Sequence, residues 1–310
     1  MGREIICTIA ICTYRRAYYL NLCLEALIKQ WKENYPVKIL VIDNANDTAT
    51  REVVAKHRKG VEINYLLETI TGLSHARNRA LRECHTEWIC YLDDDAIPHP
   101  NFIERLVFNI YSEDCDAFGG MFFPWYEESK PKWIPDWFGL FRLHYIKERR
   151  VMQADEFFPG GICAFKSSIL QEVGGFPVDI GMRGNTIGYG EEDVVQVKLR
   201  EKNYRLVFDP EWKIDHLVAD YKQKVAWHLK RSFAKGRDEQ IIKGATLLYI
   251  KLLMLLRICF LVPVFLFKNL AILFTKKSYY KENFLLDTFG HASYLLGKLS
   301  VSGKTEAIHA

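Results

Sequence analysis

None of the eight cysteines forms a CxxC pair, and several lie inside apolar runs. This spacing argues against structural zinc and for buried, reduced thiols of a cytosolic protein. No GxGxxG follows the first apolar run and no GxxxxGKS/T occurs, which argues against a dinucleotide dehydrogenase and a P-loop NTPase. Internal repeats and low-complexity tracts are absent. The short apolar run Ile5 to Cys12 is broken by Tyr14-Arg15-Arg16 too early for a signal peptide. An uninterrupted membrane-spanning stretch of ~20 apolar residues is lacking as well. Thr246 to Phe274 is strongly apolar, but Lys251, Arg257, Lys268 and Pro263 interrupt it.

What is present is an ordinary globular balance: 310 residues, 49% hydrophobic and 26% charged, enough for one large core with something appended. The net charge of +4 conceals an asymmetry. Residues 221–310 hold 15 Lys/Arg against 5 Asp/Glu, so the remainder is acidic. A basic, apolar tail beside an acidic body suggests an anionic partner for the tail alone. The apolar run favours anionic lipid over nucleic acid, with one or two helices in the membrane interface and the lysines reaching the headgroups. A kinked or re-entrant span and a buried helical hairpin are the alternatives.

Along the chain, short β-like runs alternate with helical patterns. Strands are expected at Cys7–Cys12, Pro36–Asp43, Ile63–Leu67 and Trp88–Leu92. Helices are expected from Leu20 to Trp31, from Asp47 to His57 with Asp47 or Thr48 as cap, and from Ser74 to Cys84. This order predicts an α/β fold with a mainly parallel sheet and helices on both faces. Ligands of such sheets gather beyond the carboxyl ends of the strands. Thr13-Tyr14-Arg15, Asp43-Asn44 and Asp93-Asp94-Asp95 lie there. The middle of the chain is less regular, with a helix expected over Val194–Glu201 and a strand over Arg205–Phe208.

Six groups of residues could carry chemistry. Asp93-Asp94-Asp95 crowds three carboxylates at a strand end, which is costly unless they are solvated or neutralised. A divalent cation on Asp93 or Asp95 would neutralise them, and hard oxygen ligands suit Mg²⁺ or Mn²⁺. Gly190-Glu191-Glu192-Asp193 opens a helix, where carboxylates are favourable on structural grounds alone and could also supply a general base. His216 is a structural histidine or a metal ligand. Gly72 to Arg79 puts a basic patch on the first turns of a helix: either an anion site through Arg77, or a surface helix capped by Ser74. Asp43-Asn44 could meet a base edge or simply make a turn. Trp125, Trp133 and Trp137 could stack on sugar rings or pack a loop-rich core.

In this order and spacing, the motifs resemble the family 2 inverting glycosyltransferases of the GT-A fold. The likeness runs through Ile9–Arg16, Val41–Asn44, Gly72–Leu81, Asp93–Asp95, Gly190–Asp193, Arg205–Phe208 and His216. Pro131–Ile134, Trp227–Gly236 and the apolar C-terminal helices look like the succinoglycan-type exopolysaccharide β-glycosyltransferases. Pro159-Gly160-Gly161 stands where that subgroup has a Thr-Gly-Asn-like segment, which leaves the donor sugar open. The resemblance implies a GT-A domain over residues 1–222 and a helical, membrane-associating region over 223–310. Thr13, Arg15, Asp43 and Arg77 would hold the nucleoside and its phosphates, with Tyr14, Asn44, Asp94 and Gly161 beside them. Asp93 would lie near the ribose, and Asp95 and His216 would ligate Mn²⁺ or Mg²⁺. Asp193 would be the base, positioned by Glu192, and Arg231 would close over the diphosphate. The donor would be a UDP-sugar, and the acceptor a glycan or lipid-linked oligosaccharide in exopolysaccharide or surface polysaccharide synthesis. The enzyme would work at the cytoplasmic face of the membrane, as a peripheral or monotopic protein. A nucleotidyltransferase and a non-catalytic scaffold or glycan-binding subunit are the rival readings.

Overall fold

The computed structural model describes residues 4–58, 60–244 and 247–301. They form two compact units. The first holds the chain up to Trp125, Gly139–Asp179 and Glu191–Leu217. The second holds Tyr126–Phe138, Ile180–Gly190 and the chain from Val218 on. The helical tail thus shares its unit with two segments from the middle of the chain, a grouping that composition does not signal.

The first unit opens with β1 (Cys7–Thr13), α1 (Ala17–Lys29), β2 (Val37–Asp43), α2 (Thr48–His57), β3 (Ile63–Leu67), α3 (Leu73–Arg82) and β4 (Trp88–Asp93). It continues with β5 (Ala96–Pro98), α4 (Phe102–Tyr111), β6 (Ala117–Trp125), β7 (Arg150–Val151) and β8 (Ile162–Lys166). It ends with α5 (Ser167–Glu172), α6 (Glu191–Glu201) and β9 (Leu206–Leu217). The sheet order is β3-β2-β1-β4-β8-β6-β9-β5, with β7 paired to β9. The first four strands are mutually parallel, and β8 joins antiparallel to β4.

Both faces of this sheet are covered, so the strands read as continuous apolar runs. Alternation divides each strand between two cores. Ile9, Ile11, Ile39, Val41, Cys90 and Leu92 face Leu20, Leu24, Leu27 and Leu106 of α1 and α4. Ala10, Leu40, Ile42, Ile89 and Tyr91 face Ala76, Ala80, Leu170, Val195 and Leu199 of α3, α5 and α6. Six cysteines are buried and unpaired in this unit; Cys12 is half-buried.

Local chemistry sets the element ends. Asp47 caps α2, accepting from the Ala49 N–H at 3.2 Å. The cap of α3 is Gly72 rather than Ser74, and one face of α3, with Ser74, Ala76, Arg77, Ala80 and Leu81, is buried. Gly72 has φ +149°, which side-chain-bearing residues rarely adopt, and its N–H donates to Asn44 Oδ1 at 2.7 Å. Ser74 lies inside the helix, its hydroxyl buried without a hydrogen-bond partner. The strand expected to end near Phe208 runs on to Leu217. Gly120 pairs with Asp209, but Met121 pairs with Lys213, so Pro210 sits in a bulge where it takes no ladder hydrogen bond. The buried Asp209 carboxylate anchors that bulge through Arg105 at 2.6 Å and Asn109 at 2.6 Å.

In the second unit, α7 (Val225–Lys243), α8 (Leu248–Thr275) and α9 (Lys281–Ser300) follow a 3-10 turn at Asp220–Gln223. Helices α7 and α9 touch through glycine. A Cβ on Gly236 would stand 1.9 Å from the Tyr294 carbonyl oxygen. Glu239 of α7 takes Lys243 at 2.8 Å, Lys298 of α9 at 3.1 Å and the Tyr294 hydroxyl. Trp133 lies edge-on to His228 at 5.3 Å, so it is packed against α7, while Trp137 stays exposed. α8 is one continuous helix that contains Pro263. Asn269 is its sole buried residue among the described residues, bonded to Thr288 of α9 at 3.1 Å. Leu252, Leu256, Phe260, Phe267 and Phe274 are exposed, which sets aside a buried hairpin.

Candidate active site

The carboxyl ends of the parallel strands bring the acidic motif into a defined frame. Thr13 pairs in register with Asp43, and Cys12 with Asp93. The chain then turns through Asp94 and Asp95 into β5, where Ala96 pairs with His216 of β9. The Leu217 N–H donates to the Asp95 carbonyl at 3.1 Å, locking the turn to β9 just beyond the bulge. As a result, one ligand atom each of Asp93, Asp95 and His216 lies within 4.8 Å of the others. His216 Nε2 stands 3.2 Å from Asp95 Oδ1 and 3.5 Å from Asp93 Oδ2. Two carboxylates and one imidazole this close suit a divalent cation.

Protein cations already balance part of this charge. Arg16, at the start of α1, donates to Asp94 at 3.2 Å and to Asp95 Oδ2 at 2.8 Å. Burial pushes the Asp94 carboxyl up to about 6, with Arg16 opposing and Asp95 adding to the rise. Burial also pushes Asp93 up, but the hydrogen bond from His216 and the charge of Arg77 outweigh it and hold Asp93 below the usual carboxylate range. Asp93 is also tied to the 159–161 loop: its N–H donates to the Gly161 carbonyl at 3.1 Å. A Cβ on Gly161 would stand 2.2 Å from Asp93 Oδ2, so the carboxylate occupies the room a side chain would need.

The second acidic cluster divides by direction. Its three carboxylates open α6 about 100° apart around the helix. Glu191 is buried and accepts from Arg77 Nη1 at 3.1 Å. Burial and then the Glu192 charge push Glu191 up to about 8, against the pull of Arg77. Its other oxygen, Oε2, is buried without a hydrogen-bond partner. The Glu192 charge acts on Arg77 and on Cys163, both of which Asp93 also reaches. The Asp193 charge acts on Arg200, which donates to the Glu156 carbonyl and lies over Phe157. Glu191 acts on the same two groups, so Glu191 and Glu192 both lie on the Arg77 side of the cluster.

Several residues expected at a donor site have other partners here. Asp43 is fully buried and accepts from the Ala45 N–H, the Asp47 N–H and the Tyr65 hydroxyl, each at 2.8 Å. Asn44 donates to the Glu68 and Ile70 carbonyls and accepts from Gly72, which holds the loop entering α3. Through these bonds the two residues hold the turn beyond β2. Arg77 is 3% exposed and donates to Glu191 and to the Gly160 carbonyl. Thr13 is buried at the end of β1. Arg15 is exposed, with its guanidinium 5.4 Å from the Tyr14 ring. Arg231 belongs to the second unit, 5.7 Å from the Tyr189 and Trp227 rings. Arg16 and Glu191 lie inside motifs that the sequence singles out, Ile9–Arg16 and Gly190–Asp193, but the sequence assigns neither its own role. Their contacts with Asp94, Asp95 and Arg77 supply one.

A glycosyl transferase family 2 signature matches residues 8–174. The chain belongs to that family. The match ends before α6 and His216, so those parts of the site rest on geometry. This glycosyltransferase is 23% identical over 244 residues to the glucosyl-dolichyl phosphate glucuronosyltransferase of Haloferax volcanii, spanning 76% of each chain. Its fold matches that of the mannosyltransferase PcManGT from Pyrobaculum calidifontis, solved with GDP-Man and Mn²⁺. The TM-score is 0.59 at 18% identity, covering 96% of this chain and 74% of that one. GalNAc-T7, solved with UDP, GalNAc and Mn²⁺, gives a TM-score of 0.53 at 15% identity, covering 76% of this chain and 48% of that one. The α/β fold is thus the GT-A fold expected from the sequence.

Proposed function

We propose that this glycosyltransferase is an inverting, divalent-metal-dependent enzyme that moves a hexose from a UDP-sugar onto a glycan or lipid-linked oligosaccharide. The single observation that carries the reading is the convergence of Asp93, Asp95 and His216 at the end of β4. Those three residues would hold Mn²⁺ or Mg²⁺, which supplies charge neutralisation for the departing nucleoside diphosphate. The GDP-Man, UDP and Mn²⁺ held by the two solved proteins of this fold support a nucleotide-sugar donor and a divalent metal, and GalNAc-T7 a uridine nucleotide. Residues of the chain would do the rest. The acceptor hydroxyl gives its proton to a carboxylate at the start of α6 as its oxygen attacks the anomeric carbon. One in-line displacement then turns an α-linked donor into a β-linked product.

Asp193 is that base, with Glu192 positioning it or the acceptor. A positioned general base contributes on the order of 10²- to 10⁴-fold. Asp193→Asn is expected to lose transfer by that much while still binding donor, with a smaller loss in Glu192→Gln. The opposite ranking would move the role to Glu192.

The site of action follows from the second unit. α8 is long and apolar enough to cross a membrane, with a mean hydropathy of 2.4 and no burial over its most apolar 18 residues. Laid across a bilayer, however, Arg257 and Lys268 would fall inside the hydrocarbon, at a cost of ~2.5–3.5 kcal/mol each near its centre. A helix lying in the interface at the cytoplasmic face avoids that cost. It would hold the enzyme beside a lipid-borne acceptor.

A further inference from the structure

The α3 motif supplies an arginine, expected at the donor phosphates, whose partners are all protein groups. Arg77 is nearly without solvent contact and reaches three separate parts of the site. Nη1 donates to Glu191 Oε1 at 3.1 Å, at the start of α6. Nη2 donates to the Gly160 carbonyl at 3.0 Å and lies 3.6 Å from Asp93 Oδ1, at the end of β4. The guanidinium is flanked by the Phe176 ring at 5.1 Å and the Tyr91 ring at 6.0 Å. The Tyr91 hydroxyl also donates to the Arg77 carbonyl at 3.0 Å, which fixes the arginine's own backbone. Gly160 has no Cβ where one would stand 2.9 Å from Nη2.

We infer that Arg77 is a positioning residue, a clamp that holds the acidic turn after β4, the 159–161 loop and the carboxylates of α6 in one register. The inference rests on the glycosyl-transfer reading above. Its logic is geometric. Residues 77, 93, 160 and 191 are far apart in sequence, and one planar, forked cation meets all of them. Asp193 stands two residues beyond Glu191 in the first turn of α6, so the place of the proposed base depends on the Arg77–Glu191 bond. A lysine offers a point charge on a flexible stem and cannot serve three directions at once. A clamp and a phosphate ligand differ in what they control. The clamp sets how well the reacting groups are aligned, whereas the phosphate ligand sets how tightly donor binds.

The test compares full-length wild type, Arg77→Lys and Gly160→Ala with a donor that the wild type turns over, measuring kcat, acceptor and donor KM, and donor Kd at equilibrium. Misplacement of catalytic groups by ~1 Å costs about 100-fold. Arg77→Lys is expected to lose kcat by about that factor, with donor Kd within about threefold of wild type. Gly160→Ala keeps the charge and pushes only the far end of a flexible side chain, so it remains informative if Arg77→Lys fails to fold. It is expected to show the same split, with a smaller loss of kcat. A donor Kd raised tenfold or more with kcat retained in either variant would overturn the clamp, as would a Gly160→Ala enzyme with wild-type kcat. No turnover of any donor by wild type would overturn the transferase reading, and the clamp with it.

Discussion

At the scale of single residues, the site is built from side chains whose charges are controlled by burial and by one another. Gly161 is the sharpest instance. Its missing side chain leaves room for the Asp93 carboxylate, with Oδ2 and Cγ only 2.2 and 2.7 Å from where a Cβ would stand. Gly161→Ala is therefore expected to displace Asp93 and weaken Mn²⁺ binding by roughly tenfold or more, the range in which altered support of a metal ligand is felt. Titration calorimetry with Mn²⁺ alone reads this directly, and an unchanged Kd would contradict it. Glu191 gives a pH signature. Its carboxyl lies at about 8 in the fold against an ordinary 4.5, so between those values the native state holds a proton that the unfolded chain releases. Its contribution to stability is full below about 4.5 and is lost as pH rises through about 8. Wild type is thus expected to lose melting temperature relative to Glu191→Gln between about pH 6 and 9. A wild type that gains on the variant over that range would contradict the assignment.

At the scale of elements, what is legible in the sequence is legible for local reasons. β3 can be placed to the residue because Ile63–Leu67 is a short apolar run bounded by polar ones. α2 can be placed from its cap, Asp47. The start of α3 misleads because a serine before a helical pattern looks like a cap, whereas the decisive contact comes from Asn44, 28 residues upstream of Gly72. β9 reads as too short because proline normally ends a strand, and only pairing with β6 makes the bulge that accommodates it. His216 owes its place beside Asp95 to that bulge. Motif order alone therefore hints at its role, and the pairing of β9 with β5 and β6 is what establishes its position. α8 belongs to this scale too. Leu252, Leu256 and Phe260 are 57%, 58% and 69% exposed and share one side of the helix. Burying such a side chain in an apolar phase is worth about 1.5–3 kcal/mol. Changing all three to serine in the full chain should lower binding to phosphatidylglycerol-containing vesicles by about 100-fold or more, measured by sedimentation. Equal partitioning of variant and parent would refute the interfacial helix.

At the scale of the whole molecule, the sequence announces an α/β body and a basic, apolar tail, and the structure contains both. It cannot announce that residues 126–138 and 180–190 group with the tail rather than with the sheet, since that grouping depends on contacts between distant segments. The acidic clusters are visible in the sequence. Their division of labour is not, because it depends on which way each carboxylate leaves α6 and on the buried Arg77 beside them. The central claim is that this family 2 glycosyltransferase uses Asp93, Asp95 and His216 with a divalent cation to activate a nucleotide-sugar donor. The most direct test is equilibrium binding and slow hydrolysis of a panel of UDP-, GDP- and dTDP-sugars, each with Mn²⁺ and with EDTA. The account predicts that one donor, a UDP-hexose, binds and releases its nucleoside diphosphate with Mn²⁺ and not with EDTA. Binding and turnover indifferent to EDTA, or no binding of any donor, would contradict it.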